Sequence, residues 1–296
     1  MTYLAKSIIC LLLFTEVIHG QVSNPEQQTE QLKASVTGKG AHQTATLTER
    51  DGIRNGPGYK GATIYYPVDL EGPLPGMVIV PGYLSSESAV APWGPFLASH
   101  GIVTMTIGTN RRAAMPESRA EALLDAVRTL QAEQTREASP LFDRLDVGRI
   151  GVGGWSMGGG GAQLAAVQDP ELDVVLALCP WKPGQAFEHP VPVMILGAEL
   201  DRQAPVSLHA LAHYQSTSKE TPRLYFEVEG ARHALAYSPG NADGDVGRIA
   251  LIWLRCFLED QLEYRALLEA APPSAKRFLL EIPDSAKGSD AVETPK

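Results

Sequence analysis

The sequence predicts an α/β protein: a mostly parallel central sheet with helices on both faces. Three observations carry that prediction. From Ala62 onward, short apolar runs rich in β-branched residues alternate with longer stretches of helical spacing. A serine set among glycines, in "GGWSMGGGG" over 153–161, stands between a strand-like run and a helix-like one. The 296 residues, 44% hydrophobic and 20% charged, can fill one large α/β domain or two small ones, and no internal repeat suggests a solenoid.

The elements follow in chain order. In residues 1–20, Lys6 precedes the apolar run 7–14 and small Gly20 closes the segment. This is the pattern of a secretory signal peptide, too short to span a bilayer, and it predicts an extracellular or periplasmic protein. Residues 21–45 are rich in Gln, Thr and Ser without a period and predict a flexible leader. A catalytic domain is expected over 46–270. "ATIYYPV" and "GMVIVPG" read as strands, "WGPFLASHG" as a helix ending at Gly101, and "IVTMTIG" as the next strand. Ser118 and Glu121 have capping-box spacing, followed by Leu123, Leu124, Val127 and Leu130 at helical spacing. "RIGVGGW", "DVVLALC", "VPVMILGA" and "LYFEVEG" read as buried strands, with helices expected at "AQLAAVQD" and "VGRIALIWLRCFLED". The segment 271–296 is richer in Pro, Ser and charge and is expected to be partly disordered, with "RFLLEIP" able to dock.

Gly154-Trp155-Ser156-Met157-Gly158 fits G-x-S-x-G at a strand-to-helix turn. That is the nucleophile elbow of the α/β-hydrolase fold, in which the triad runs Ser, then Asp or Glu, then His. A phosphate-binding loop would end in Lys-Ser or Lys-Thr, and "GGGGAQ" has no lysine. The base is His233, because it alone of seven histidines follows a predicted strand at the expected end of the chain, in "EGARHAL". The acid lies at the end of "VPVMILGAELD", where Asp201 is favoured over Glu199 because it reaches further into the loop. The backbone N–H of Met157 and one from "VIVPGYLSS", at Tyr83, are the expected oxyanion donors.

Together, "GATIYYP", "PGY", "LASHGIVTMTIGTN", "SRAEALLDA", "GWSMGGGG", "CPW", "GAELDRQAPV" and "EGARHA" resemble the bacterial cutinases and polyester hydrolases, the group that includes poly(ethylene terephthalate) hydrolases. The resemblance runs from about Gly56 to about Leu268. It implies Ser156, Asp201 and His233 as the triad, Tyr83 and Met157 as the oxyanion hole, and Trp181 of "CPW" as an aromatic wall for substrate rings. The chain departs from the pattern in three places. No cysteine follows Cys256, so the family's C-terminal disulfide is absent. Gln203 stands where an apolar residue usually lines the cleft, and Leu84 and Ser85 replace a small and hydroxyl pair. In some relatives acidic residues at the positions of Glu199 and Glu229, with a third near the C-terminus, bind calcium; no metal ligands are assigned here.

The expected protein is a secreted, cutinase-like serine ester hydrolase, monomeric and cofactor-free. Its cleft is expected to be walled by Tyr83, Trp155, Met157, Trp181 and Gln203. The eleven residues "PWKPGQAFEHP" are too few for a lid domain. A net charge of −9 without a basic run argues against nucleic acid, and no membrane partner is expected. Cys179 and Cys256 sit in apolar runs and are expected to be free thiols. A short-chain lipase or phospholipid acyl hydrolase would share the catalytic residues. A non-catalytic binding protein on the same fold is the alternative of another class.

Overall fold

In a computed structural model, which describes residues 24–184 and 187–283, nine strands form one sheet. They are β1 (Thr44–Thr48), β2 (Ala62–Pro67), β3 (Leu74–Val80), β4 (Val103–Ile107), β5 (Leu145–Trp155), β6 (Val175–Leu178), β7 (Val193–Ala198), β8 (Arg223–Val228) and β9 (Ala275–Glu281). Their order is β1-β2-β4-β3-β5-β6-β7-β8-β9. The six from β4 to β8 are parallel, and β1, β2 and β9 run antiparallel to their neighbours. This is the expected α/β-hydrolase architecture.

The parallel strands read as largely apolar runs, β5 only in its second half, because both faces are covered there. Side chains of successive residues point to opposite faces. Val78 and Val80 thus join one core cluster with helices α3 (Pro116–Ala132), α4 (Met157–Gln168) and α5 (Ala210–Ser216). Met77 and Ile79 join the other, with α2 (Trp93–Ser99) and α6 (Asp245–Phe257). The chain crosses from β3 out to β4, then back past β3 to β5. The C-terminal ends of β3 and β5 therefore flank the point where the winding reverses, the place where open α/β sheets bind ligands.

Three local expectations are corrected. The leader 21–45 was expected to be flexible, yet it contains helix α1 (Pro25–Ser35) and the start of β1. A capping box holds α1: Glu26 N–H donates to Asn24 Oδ1 at 3.2 Å and Asn24 N–H to Gln27 Oε1 at 3.3 Å. Val36 is fully buried in the second cluster, and Ser35 Oγ lies 2.8 Å from the Tyr264 hydroxyl. As "RFLLEIP" allowed, the C-terminal segment docks: it supplies β9, which pairs with β8 and covers an otherwise open sheet edge. Helix α3 starts at Pro116, not at the Ser118 box, because proline suits the first helical position. Helix α4 starts at Met157, not Ala162, so its glycines lie inside the helix. The proposed signal peptide and the tail 284–296 lie outside the described residues. No described helix is long and apolar enough to cross a membrane.

Candidate active site

Ser156 ends β5 and precedes α4 with φ 59° and ψ −121°. For a residue with a Cβ this is a strained backbone. It is held from both sides: Ser156 N–H donates to Leu178 O at 2.9 Å, and Ser156 O accepts from Gly160 N–H at 3.1 Å and Trp181 N–H at 2.8 Å. At this turn α4 comes close to β3. A Cβ on Gly158 would stand 2.4 Å from Val80 O and 2.8 Å from Pro81 O, both backbone atoms.

His233 opens a short 3-10 turn, His233–Tyr237, after β8. Two indoles fix that turn. Trp155 Nε1 donates to His233 O at 3.1 Å, and Trp93 Nε1 to Ala236 O at 2.9 Å. The imidazole is thereby aimed so that Nε2 lies 2.8 Å from Ser156 Oγ and Nδ1 lies 2.6 Å from Asp201 Oδ2. Asp201 follows β7, and its other oxygen accepts from Gln203 N–H at 2.9 Å and Ala204 N–H at 2.8 Å. All three side chains are buried, Ser156 at 7% exposure, Asp201 at 6% and His233 at 3%. Glu199, the other carboxylate considered, points elsewhere. It accepts from Gly230 N–H at 2.8 Å and pairs with Lys276 Nζ at 3.3 Å; these contacts hold its carboxyl below the usual range. One oxygen thus faces a backbone N–H and the other an ammonium. An ammonium beside Glu199 does not fit a calcium site built on Glu199 and Glu229.

Met157 is the first residue of α4, so its N–H has no acceptor within the helix, and the positive end of the helix dipole faces the same space. The loop after β3 lies against the serine. A Cβ on Gly82 would meet Ser156 Cβ at 2.8 Å and the Trp155 ring at 2.9 Å, so only glycine lets Tyr83 follow so closely. Tyr83 is 47% exposed and Leu84 61%.

The expected walls divide. Trp181 is half-buried and stacks on His209, with ring centroids 5.6 Å apart and planes at 28°. Met157 is also half-buried, and Gln203 is exposed on the acid loop. Trp155 is a correction. It is only 5% exposed, lying beneath Gly82 with its ring 5.1 Å from His233 and 4.5 Å from Tyr237. As the last residue of β5 it faces into the second core cluster, so it supports the histidine turn and does not line a surface. Cys179 and Cys256 are free and buried, and burial pushes the Cys256 thiol up to about 12.

Sequence reasoning missed a pair of histidines beneath Trp181. His209 Nδ1 accepts from Lys182 N–H at 3.1 Å, and His213 Nε2 donates to Lys182 O at 2.7 Å. Gln163 on α4 donates to His213 Nδ1 at 3.0 Å. The two rings thus take both backbone polar groups of the residue after Trp181. The available signal was their spacing of four, which places them on one side of a helical turn. Burial lowers His209 and pushes His213 down to about 4 from an ordinary value of 6.5. The unfolded chain takes up a proton at His213 more readily than the fold does. Its contribution to stability is therefore complete above about 6.5 and is lost as pH falls toward about 4. His213→Phe should cost stability at neutral pH, and the wild type's excess in melting temperature should shrink across that window. A pH-independent difference would mean that His213 takes up its proton without opening the fold.

Comparison with known proteins places the chain in a family. A family model described as PET hydrolase-like matches residues 22–285. A bis(hydroxyethyl) terephthalate hydrolase of Streptomyces coelicolor is 36% identical over 217 residues, 73% of this chain and 67% of the relative. Cutinase est1 of Thermobifida alba is 32% identical over 253 residues, 85% of this chain and 83% of its own. Cutinase 1 of Thermobifida cellulosilytica is 35% identical over 216 residues, 73% and 80% of the two chains.

Proposed function

This chain belongs to the PET hydrolase-like family of α/β hydrolases and is a carboxylic-ester hydrolase, and on that footing we propose that it cleaves esters through a Ser156 acyl-enzyme. The observation that carries the reading is the continuous line from Asp201 Oδ2 to His233 to Ser156 Oγ, at 2.6 and 2.8 Å. A serine hydroxyl is a poor nucleophile until a base removes its proton. His233 Nε2 takes that proton as Oγ bonds to the substrate carbonyl carbon. The carbonyl oxygen becomes an alkoxide and accepts from the N–H groups of Met157 and Tyr83. Collapse of this intermediate breaks the bond to the alcohol, which leaves with the proton from His233. Water then repeats the sequence: His233 takes its proton, its oxygen attacks the acyl carbon, and Ser156 regains its hydrogen as the acid departs. Asp201 keeps the ring in the required tautomer and stabilises its charge. No cofactor enters these steps.

The substrate class we favour is an aromatic polyester or its short ester fragments, presented to an open groove without a lid. The name of the Streptomyces coelicolor relative supports terephthalate esters, and the exposed Tyr83 with half-buried Trp181 supplies flat apolar faces. Offset stacking on such a face contributes about 0.5–1.5 kcal/mol per ring pair. We read residues 1–20 as an export signal and the mature protein as secreted and monomeric.

The test is hydrolysis of p-nitrophenyl esters of graded acyl length beside amorphous terephthalate polyester film, for wild type and Trp181→Ala. The wild type should prefer short acyl chains and release aromatic acid from the film. Trp181→Ala should lose several-fold more on the film than on p-nitrophenyl butyrate, about the factor one stacking contact supplies. Equal losses would reduce Trp181 to packing. A preference for long acyl chains without release from the film would indicate a lipase. Failure of a fluorophosphonate to label Ser156 would indicate a binding protein.

A further inference from the structure

Arg119 lies on α3 with no exposed surface, yet its guanidinium donates to backbone carbonyls. Nη1 donates to Pro81 O at 2.8 Å and Nη2 to Arg112 O at 2.9 Å. Its Nε has no partner, and no carboxylate pairs with it among the described residues. Burial pushes its pKa down to about 10, which leaves it charged at neutral pH. A buried cation without a counter-ion is costly, and most buried charges are paired.

What the two carbonyls have in common is the loop that follows β3. Pro81 opens that loop. Arg112 O also accepts from Leu84 N–H at 2.8 Å, and Leu84 itself is in the left-handed region at φ 56°. One arm of the guanidinium therefore grips residue 81 directly. The other grips the carbonyl that anchors residue 84. Gly82 and Tyr83 lie between the two points, with Gly82 against the Ser156 side chain. The root of Arg119 is fixed just as closely to the nucleophile helix: a Cβ on Gly161 of α4 would stand 2.8 Å from Arg119 Cβ.

We propose that Arg119 is a positioning residue for the oxyanion hole. Its planar fork holds residues 81–84 so that the Tyr83 N–H meets the developing alkoxide, and its unneutralised charge adds to the positive field there. A lysine carries the charge but only one point of attachment, and a glutamine carries neither the charge nor the reach. The inference rests on reading Ser156 as nucleophile and Tyr83 as oxyanion donor.

The test uses the full chain, p-nitrophenyl butyrate, and phenylboronic acid, which forms a tetrahedral anion on the active serine. Arg119→Gln should lower kcat by about 10- to 100-fold, less than outright loss of an oxyanion donor, with KM changed by less than about threefold. Its affinity for phenylboronic acid should fall by about the same factor as kcat/KM. Arg119→Lys should recover part of both losses, and it carries the test alone if the glutamine variant does not fold. A folded variant that loses kcat but binds the boronate as wild type does would overturn the proposal. So would a lysine variant equal to wild type in both readings. Wild-type turnover in Ser156→Ala would overturn the reading of the site itself, whatever Arg119 does.

Discussion

Ser156→Ala should lower turnover of p-nitrophenyl butyrate by roughly a million-fold, and His233→Ala by about as much. The expectation follows from how completely the site is organised around one hydroxyl. The backbone at Ser156 is held at φ 59° by three hydrogen bonds, and the imidazole already lies 2.8 Å from Oγ. Neither group has a second partner that could take over its part. A serine without its base is a weak nucleophile, and a base without its serine has only water to activate. The two substitutions therefore remove the same event. The double variant should be no slower than either single one beyond about threefold. The N–H groups of Met157 and Tyr83 survive in all three variants, so a residual rate of roughly 10³- to 10⁴-fold over water should remain. Single-turnover assays and fluorophosphonate labelling measure this directly. Multiplicative losses would mean that Ser156 and His233 act in separate steps, and the acyl-enzyme mechanism would have to be abandoned.

The sheet was legible in the sequence because most of the parallel strands from β3 to β8 are buried on both faces, β5 in its second half, and so read as largely apolar runs of strand length. Ser156, Asp201 and His233, which the structure brings within hydrogen-bond distance, could be picked out because each follows such a run. What failed to show was whatever depends on close approach between distant segments. Glycine lowers helix stability by about 1 kcal/mol relative to alanine, so propensity puts the start of α4 after its glycines. The structure starts it before them, because at Gly158 and Gly161 a Cβ would strike Val80 O and the Arg119 side chain. The leader gave no periodic signal, since α1 has few apolar residues and is held by its caps and by the seat of Val36. Trp155 looked like a wall because it adjoins the serine, but the side chain after a strand's penultimate residue turns to the other face. His209 and His213 carry no motif, and the motif around Arg119 says nothing of what its guanidinium holds. Their meaning lies in backbone carbonyls and N–H groups far along the chain, which a sequence does not display.

Asp201→Asn should lower kcat by roughly 10⁴-fold while leaving the fold intact, and the reason is the direction in which an amide would be forced to sit. Asp201 Oδ1 accepts two backbone N–H groups, from Gln203 and Ala204, at 2.9 and 2.8 Å. An asparagine must keep its carbonyl oxygen there, because its NH₂ would confront two donors. That places the NH₂ against His233 Nδ1, where Oδ2 now lies at 2.6 Å. The ring would accept at Nδ1 and carry its hydrogen on Nε2, the atom that must take the proton of Ser156. The variant would thus hold the right residues in the wrong tautomer. Glu199→Gln is the control, since that carboxylate serves Gly230 and Lys276 and does not touch the imidazole. Its kcat should stay within about twofold of wild type, as for a solvent-exposed ion pair. Soluble-ester kinetics with melting curves for both variants decide the matter. If Asp201→Asn melts as the wild type does and keeps more than about a tenth of its kcat, Asp201 does not set the tautomer, and the histidine must be oriented by its backbone turn alone.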